Sequence, residues 1–367
     1  MKNDTTDQLP KTQRALVAGG VGKLILRNDA PLPSLQPDQV LVKVQAVAIN
    51  PSDHKFLDLS TVEGAVSGAD FAGTVVAIGS DCLKPLAIGT RVCSCVFGSN
   101  PLRSDNGAFA EYVAIRSELC ILVPPRLSLE VAASMPVALI TAAYVLRSLR
   151  LPSLVPLDGK QPPKISSARP RWVLVNGGAT ATGTILIQVL KNVGYQPIAT
   201  CSPKNAALVL KSGAQKVFDY KSSTCANEIK AYTKDSLSYV LDCIGSPSTM
   251  AMCYQTMGSA GGRYTALEPY SERIKSTRSD IMADWILAWT VYGEPVALDG
   301  IYKREPILED FMMCSSWISM IEPYLANAKI KPHPVDINRK GGLNAIPDGL
   351  DLMRKGKISG KKLVFAI

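Results

Sequence analysis

Apolar positions fall into two rhythms along the chain. Over the first third they come in short runs: Gln39–Ile49, Ala72–Ile78, Arg91–Phe97 and Ala110–Ile115. The first run ends at Asn50-Pro51 and the second at Gly79-Ser80-Asp81, combinations that mark turns. Short valine-rich strands punctuated in this way predict a β-rich barrel or sandwich-like domain. From Ser128 the spacing lengthens: Leu129, Ala132, Ala133, Pro136, Ile140, Ala143 and Leu146 recur at helical intervals with one proline break. Leu151–Pro170 holds five prolines and little periodicity, and reads as a linker or surface loop.

From Trp172 strand and helix patterns alternate. Trp172–Val175 reads as a short buried strand, and Ile185, Leu186, Val189, Leu190 and Val193 mark one face of a helix. Pro197–Thr200, Lys216–Asp219, Tyr239–Asp242 and Gly262–Thr265 read as further strands, with a helix over Ala206–Lys211. This alternation predicts an α/β unit with a doubly wound parallel sheet. Beyond Gly293 the pattern loosens, and Leu363–Ile367 reads as a strand returning to the first domain.

Composition narrows the class. The chain has 367 residues, room for about two domains. Its 47% apolar and 19% charged residues fit an ordinary globular protein. Met1–Gln8 is polar and no uninterrupted apolar run approaches the ~18 residues of a membrane span, so a cytoplasmic location is expected. The nine cysteines (82, 93, 95, 120, 201, 225, 243, 253 and 314) are scattered. Cys93 and Cys95 have one residue between them, where structural zinc sites use about two to four, and no second pair follows. Neither a disulfide framework nor a metal site is expected, and Cys243 reads as packing. The net charge of +9 is mixed along the chain without a nucleic-acid motif, and equally suits solubility, a multiply phosphorylated cofactor or an acidic carrier protein.

The candidate chemistry begins at Val175-Asn176-Gly177-Gly178-Ala179-Thr180-Ala181-Thr182-Gly183, a glycine-rich turn from strand to helix. Such a turn presents backbone N–H groups and the positive end of a helix dipole to a pyrophosphate. The strict G-x-G-x-x-G is absent, because Thr180 stands where its middle glycine falls. Thr180 and Thr182 are candidates for phosphate contacts or for helix capping. The next strand runs into Cys201-Ser202-Pro203-Lys204-Asn205 and lacks the carboxylate with which NAD enzymes bind the ribose hydroxyls. Ser202 and Lys204, with Tyr220, suit a 2′-phosphate, so NADPH is the expected cofactor; a capped loop with a solvated lysine is the alternative.

These residues together resemble a known family. Gln45-Ala46-Val47-Ala48-Ile49-Asn50-Pro51-Ser52-Asp53, Gly68-Ala69-Asp70-Phe71-Ala72-Gly73 and Gly89-Thr90-Arg91-Val92 resemble the quinone-reductase-like branch of the medium-chain dehydrogenase/reductase superfamily. Ala199–Pro203, Val217–Tyr220, Ala283–Trp285 and Ile358–Val364 resemble the stand-alone, trans-acting enoyl reductases of fungal polyketide pathways. The implied fold is a GroES-like β-rich catalytic domain over 1–164, a Rossmann NADPH domain over 165–297 and a return to the catalytic domain over 298–367. Zinc-dependent members carry Cys near position 52 and Gly-His-Glu near 68. Ser52 and Gly68-Ala69-Asp70 depart from that pattern, so no catalytic zinc is expected.

The resemblance implies site residues. Ser52, Asp53, His54 and Lys55 would line the cofactor, as would Ala179, Thr180, Ala181 and Thr182. Ser202, Pro203, Lys204, Asn205 and Tyr220 would follow, then Leu267, Glu268, Ser359 and Gly360. Thr141, Ala142, Ala143, Tyr144, Val145, Leu146, Arg147 and Ser148 would line the substrate, with Ala288, Trp289, Thr290, Val291 and Tyr292; Trp289 equally fits plain core. The implied reaction is hydride transfer to the β-carbon of an α,β-unsaturated thioester, with an enolate stabilised by placed donors and then protonated at the α-carbon. Lys55 is the candidate catalytic cation; nicotinamide-ribose binding or a solvated loop is its other reading, and His54 reads as structural. The implied partner is a synthase acyl-carrier domain, with the chain itself a monomer. Arg354, Lys355, Lys357, Lys361 and Lys362 form a basic cluster that suits such a partner or a solvated surface. A free-standing quinone or enone reductase, and a non-reducing cofactor-binding accessory protein of a synthase, are the alternatives.

Overall fold

The computed structural model describes residues 9–155, 157 and 170–367. The polar Met1–Gln8 start, most of the Leu151–Pro170 loop and the boundary expected at 164/165 lie outside the described residues. The chain opens with an antiparallel hairpin of β1 (Thr12–Ala18) and β2 (Leu24–Pro31). Next come β3 (Gln39–Ala48), α1 (Pro51–Leu59), β4 (Asp70–Ile78), β5 (Arg91–Cys95), β6 (Tyr112–Arg116) and β7 (Ile121–Leu122). Only Lys43 and Gln45 of β3 are exposed, because the strand is covered on both faces for most of its length. The helical stretch splits at its proline into α2 (Leu129–Ala132) and α3 (Pro136–Ser148). Leu129–Ser148 is long and apolar enough to span a membrane, yet 78% of its 18-residue apolar window is buried inside the protein, which makes it a core segment.

Strand and helix then alternate: β8 (Trp172–Asn176), α4 (Ala181–Asn192), β9 (Gln196–Cys201), α5 (Ala206–Lys211), β10 (Val217–Asp219), α6 (Cys225–Tyr232), β11 (Tyr239–Asp242), α7 (Pro247–Thr256), β12 (Gly262–Ala266), α8 (Glu272–Lys275) and β13 (Ile281–Trp285). All six strands are parallel, in the order β10-β9-β8-β11-β12-β13. Numbered within the unit this is 3-2-1-4-5-6, the Rossmann order, whose crevice opens between its first and fourth strands. The chain finishes with α9 (Leu308–Ala326), β14 (Val335–Asn338), α10 (Ile346–Arg354) and β15 (Lys362–Ala366). β15 pairs antiparallel with β3, and the seven-stranded sheet runs β14-β15-β3-β4-β5-β7 with β6 also on β3.

Two expectations are corrected. Asn50-Pro51 begins a helix instead of a turn: Asn50 caps α1, proline takes the first position, and the Asp53 carboxylate accepts from Asn50 N at 2.7 Å. The loosened region after Gly293 contains the 19-residue α9, whose Trp317 Nε1 donates to Leu139 O at 2.8 Å on α3. The nine cysteines are all free thiols.

Candidate active site

One cavity of about 910 Å³ follows the crevice from the Gly177 turn to the start of α1. β8 ends at Asn176, and Gly177 takes φ +78°, a left-handed conformation that reverses the chain into α4. A Cβ on Gly183 would fall 2.5 Å from Gly177 O, so only glycine lets the helix begin this close to its own turn. Thr180 is the N-cap: its hydroxyl accepts from Gly183 N and donates to Gly177 O, both at 2.9 Å. These are the bonds of a capping residue. Ala179, Thr180, Ala181 and Thr182 all line the cavity at this helix start.

Beneath the turn lies Asp242, fully buried at the end of β11. It accepts from Asn176 Nδ2 (2.8 Å), Ile244 N (3.0 Å), Gly245 N (3.1 Å), Thr249 Oγ1 (2.7 Å) and Tyr264 Oη (3.0 Å). These bonds tie together the edges of the crevice. In the sequence Asp242 carries only a strand signal.

At the outer end, Ser202, Asn205 and the half-exposed Tyr220 line the cavity; Pro203 and Lys204 are exposed beside it. Asn205 Nδ2 donates to Ser202 Oγ (3.3 Å) and Ser359 Oγ (3.0 Å). Ser359 and Gly360, just before β15, thereby meet the Rossmann sheet across the opening. Asp219, at the end of the neighbouring β10, accepts from Lys221 N at 3.0 Å.

At the inner end, Ser52 and Lys55 face the cavity from α1 and Leu267 and Glu268 from beyond β12. Lys55 Nζ is hydrogen-bonded to Glu268 Oε1, and Tyr302 Oη donates to Glu268 Oε2 at 3.1 Å. Burial and the Glu268 charge push the Tyr302 phenol up to about 12. Asp53 and His54 do not line the cavity. Asp53 is the buried capping residue, and burial raises its carboxyl to about 7, with Asp70 adding to the rise. His54 Nδ1 lies 3.3 Å from Asp58 Oδ2, and burial lowers the imidazole below its ordinary value.

The floor is a buried polar knot. Lys362 Nζ is hydrogen-bonded to Asp70 Oδ2 and donates to Asn50 Oδ1 at 2.9 Å. Asn50 Nδ2 and Val137 N donate to the two Asp70 oxygens at 2.9 and 2.8 Å. The knot joins α1, β4, α3 and β15. His333, also facing the cavity, has Nδ1 2.9 Å from Thr184 Oγ1; burial and the Lys362 charge hold it neutral down to about 4.

Comparison with known proteins decides the family. The Alcohol dehydrogenase GroES-like domain matches residues 36–125 and the Zinc-binding dehydrogenase domain residues 181–267. The trans-enoyl reductase caaB of Aspergillus niger is 45% identical over 365 residues, covering 99% of both chains. The trans-enoyl reductase thnE of Trichoderma harzianum is 44% identical over 367 residues, covering 98% of both. The chain belongs to the trans-enoyl reductases. It is therefore an oxidoreductase of the medium-chain dehydrogenase/reductase superfamily, an enoyl reductase that works with a nicotinamide cofactor. The fold agrees: the CurK enoyl reductase superposes with a TM-score of 0.75 at 16% identity, covering 97% of this chain and 99% of that one. A quinone oxidoreductase of Pseudomonas syringae pv. tomato gives 0.73 at 18%, covering 97% and 100%.

The second family description raises zinc, and the residues present do not fit it. Zinc requires about three or four converging Cys, His or carboxylate ligands. Among the described residues no three such side chains come together. Ser52 offers a hydroxyl, Asp70 is taken by Lys362, and burial raises the Cys93 and Cys95 thiols far from thiolate.

Of the expected substrate segments, Thr141, Ala288 and Trp289 line the reductase cavity. Ala142, Ala143, Tyr144, Val145, Leu146, Arg147 and Ser148 do not, nor do Thr290, Val291 and Tyr292. A helix turns its residues through the full circle within four positions, so α3 shows the cavity only Val137 and Thr141. Behind the wall, Arg147 pairs with Asp310, which also accepts from Thr290; Tyr144 Oη lies 3.0 Å from Thr290 Oγ1, and Tyr292 Oη donates to Cys95 O at 2.9 Å. Ser148 Oγ donates to Asp284 Oδ2 at 2.7 Å.

The sequence reading missed Phe56, Ile286, Leu287 and Leu298, which complete an apolar end with Trp289. Trp289 stacks on Phe97 (5.2 Å, 8°) and meets Phe56 edge-on at 5.9 Å. It also missed Tyr302 and His333, which carry no local motif. Cys243, read as packing, lies against the Gly177 turn and lines the cavity. The basic C-terminal cluster disperses: Lys362 is buried, Arg354 pairs with Asp58 and Asp351, and Lys361 pairs with Asp336. Lys355 and Lys357 remain exposed.

Proposed function

We propose that this reductase uses NADPH to saturate the α,β-double bond of a polyketide thioester held on the acyl-carrier domain of a partner synthase, acting as a cytoplasmic monomer. The observation that carries this reading is the continuity of the cavity. It runs from a serine–asparagine–tyrosine rim, past a helix N-terminus, to a lysine and then an aromatic pocket.

The residues fit the cofactor on chemical grounds. The N–H groups at the start of α4 suit a pyrophosphate. Ser202, Tyr220 and the adjacent Lys204 offer two hydroxyls and a cation to a 2′-phosphate. Ser359 and Gly360 border that same rim through Asn205, and Ser52 and Leu267 remain for the nicotinamide half. When bound, the cofactor supplies the hydride.

The protein's own part is orientation and charge. The Lys55 ammonium and Ser52 hydroxyl are donors for the thioester oxygen, where negative charge gathers as the double bond is reduced. Phe56, Ile286, Leu287, Trp289 and Leu298 bury the acyl chain and keep water from it. A thioester already polarises its alkene, so the reaction needs no metal.

The deciding assay is nicotinamide oxidation with a panel of α,β-unsaturated thioesters, run with NADPH and NADH. NADPH should win by about tenfold or more, the effect of one charge-assisted hydrogen bond. Equal rates would refute the role of Ser202 and Lys204. Turnover of free enones but not of thioesters would favour a quinone-type reductase. Tight NADPH binding with no turnover of any alkene would leave only an accessory role.

A further inference from the structure

Three residues from separate segments meet across the cavity. Lys55 lies on α1, Glu268 two residues beyond β12, and Tyr302 on a short turn over Gly300–Tyr302. Both Glu268 carboxylate oxygens are occupied from opposite sides, one by the lysine and one by the phenol. Tyr302 is itself fixed: Trp285 meets its ring edge-on at 5.7 Å, and the Arg304 guanidinium covers Trp285 at 4.6 Å. Opposite, Gly245 takes φ +69°, and a Cβ there would fall 2.6 Å from Glu268 Cβ. The room for Glu268 thus depends on a residue without a side chain.

We infer that Glu268 is a positioning residue for the reduction: with Tyr302 it fixes the Lys55 ammonium over the reacting end of the cavity. This rests on the reading of Lys55 as the donor to the thioester oxygen. A lysine on a four-carbon stem, 36% exposed, samples many rotamers and is drawn towards water. A carboxylate anchored at its other oxygen removes that freedom. The ammonium is then in place before charge appears on the substrate, the condition under which a donor lowers the barrier most.

The test is a double-mutant cycle on the full chain, using a small unsaturated thioester and NADPH. Glu268→Ala should lower kcat about 10- to 100-fold, the loss from a misplaced catalytic group, with the KM for NADPH unchanged. Glu268→Gln, which keeps an acceptor for Lys55, should recover part of the loss, and Tyr302→Phe should fall between Glu268→Gln and wild type. Lys55→Met should be at least as slow as Glu268→Ala, and adding Glu268→Ala to it should cost nothing more. Thermal melting and NADPH titration of each variant report folding separately. Multiplicative losses in the double variant, or a raised NADPH KM with kcat intact, would overturn the inference. So would full activity of Glu268→Ala beside a crippled Lys55→Met, which leaves the Lys55 reading standing. Full activity of Lys55→Met would remove both.

Discussion

Trp289→Ala tests whether the aromatic pocket measures the acyl chain. The indole is 6% exposed, stacked on Phe97 and met by Phe56, and it forms one wall of the cavity. Large-to-small aromatic substitution in a core costs about 3–5 kcal/mol. Here the vacated space joins an existing cavity, so the loss should sit near 3 kcal/mol, or about 4 °C in Tm for a chain of this size. The functional effect has the opposite sign for long substrates. Each methylene that gains burial contributes about 0.8 kcal/mol, close to fourfold in kcat/KM. Measured over enoyl thioesters of rising length, wild-type kcat/KM should climb and then stop when the chain reaches Trp289. The variant should continue to climb about fourfold per carbon over the next carbons. Trp289→Phe should give an intermediate limit and separate pocket length from folding. An unchanged optimum in a folded Trp289→Ala protein, or an equal loss at every length, would refute the idea that Trp289 ends the pocket.

Three further outcomes follow from the site. Ser202→Ala with Lys204→Ala should raise the KM for NADPH about 10- to 100-fold, the worth of charge-assisted hydrogen bonds, and leave NADH turnover unmoved; steady-state kinetics with both cofactors checks this. Thr180→Ala removes the hydroxyl that caps α4, costing about 1 kcal/mol in thermal or urea unfolding and weakening cofactor binding in a titration. In pH-dependent unfolding, His333 and Asp53 oppose each other. His333 stays neutral down to about 4, so from pH 6.5 towards 4 the unfolded chain takes up a proton the folded one refuses, and stability falls as pH is lowered. Asp53, raised from 3.8 to about 7, holds a proton the unfolded chain has released, so its contribution falls as pH rises through that window. Asp53→Asn should therefore expose the His333 slope, a loss of up to about 3 kcal/mol on acidification; a flat profile in that variant would contradict it.

The parallel sheet was legible because its strands are buried on both faces and read as unbroken apolar runs, Val173–Val175 and Val240–Leu241 among them. The Gly177 turn was legible because its conformation needs particular residues. What escaped did so for physical reasons. α9 buries Asp310, Cys314, Trp317, Ile318 and Ile321 along one face, but Leu308 and Met312 are apolar on the exposed side and blur the stripe. α1 was hidden because Asn-Pro starts a turn or a helix equally well. Tyr302 and His333 reach the cavity through tertiary packing, which leaves no trace in spacing. Of Thr141–Ser148 only Thr141 faces the cavity, because a contiguous stretch of sequence is not a contiguous face of a helix.

The strand that closes the first sheet also sets a clock. Val364 on β15 pairs with Ala48 on β3, 316 residues earlier, and Lys362 on the same strand completes the knot with Asp70 and Asn50. At about 5–20 residues per second, a ribosome needs roughly 15–65 s to deliver that strand after β3 has emerged. The Rossmann sheet, from Trp172 to Trp285, is made entirely within that interval and pairs only with itself. The nascent chain therefore presents a finished nucleotide fold beside an unclosed β-sheet, with Asp70 awaiting its cation until the final residues arrive.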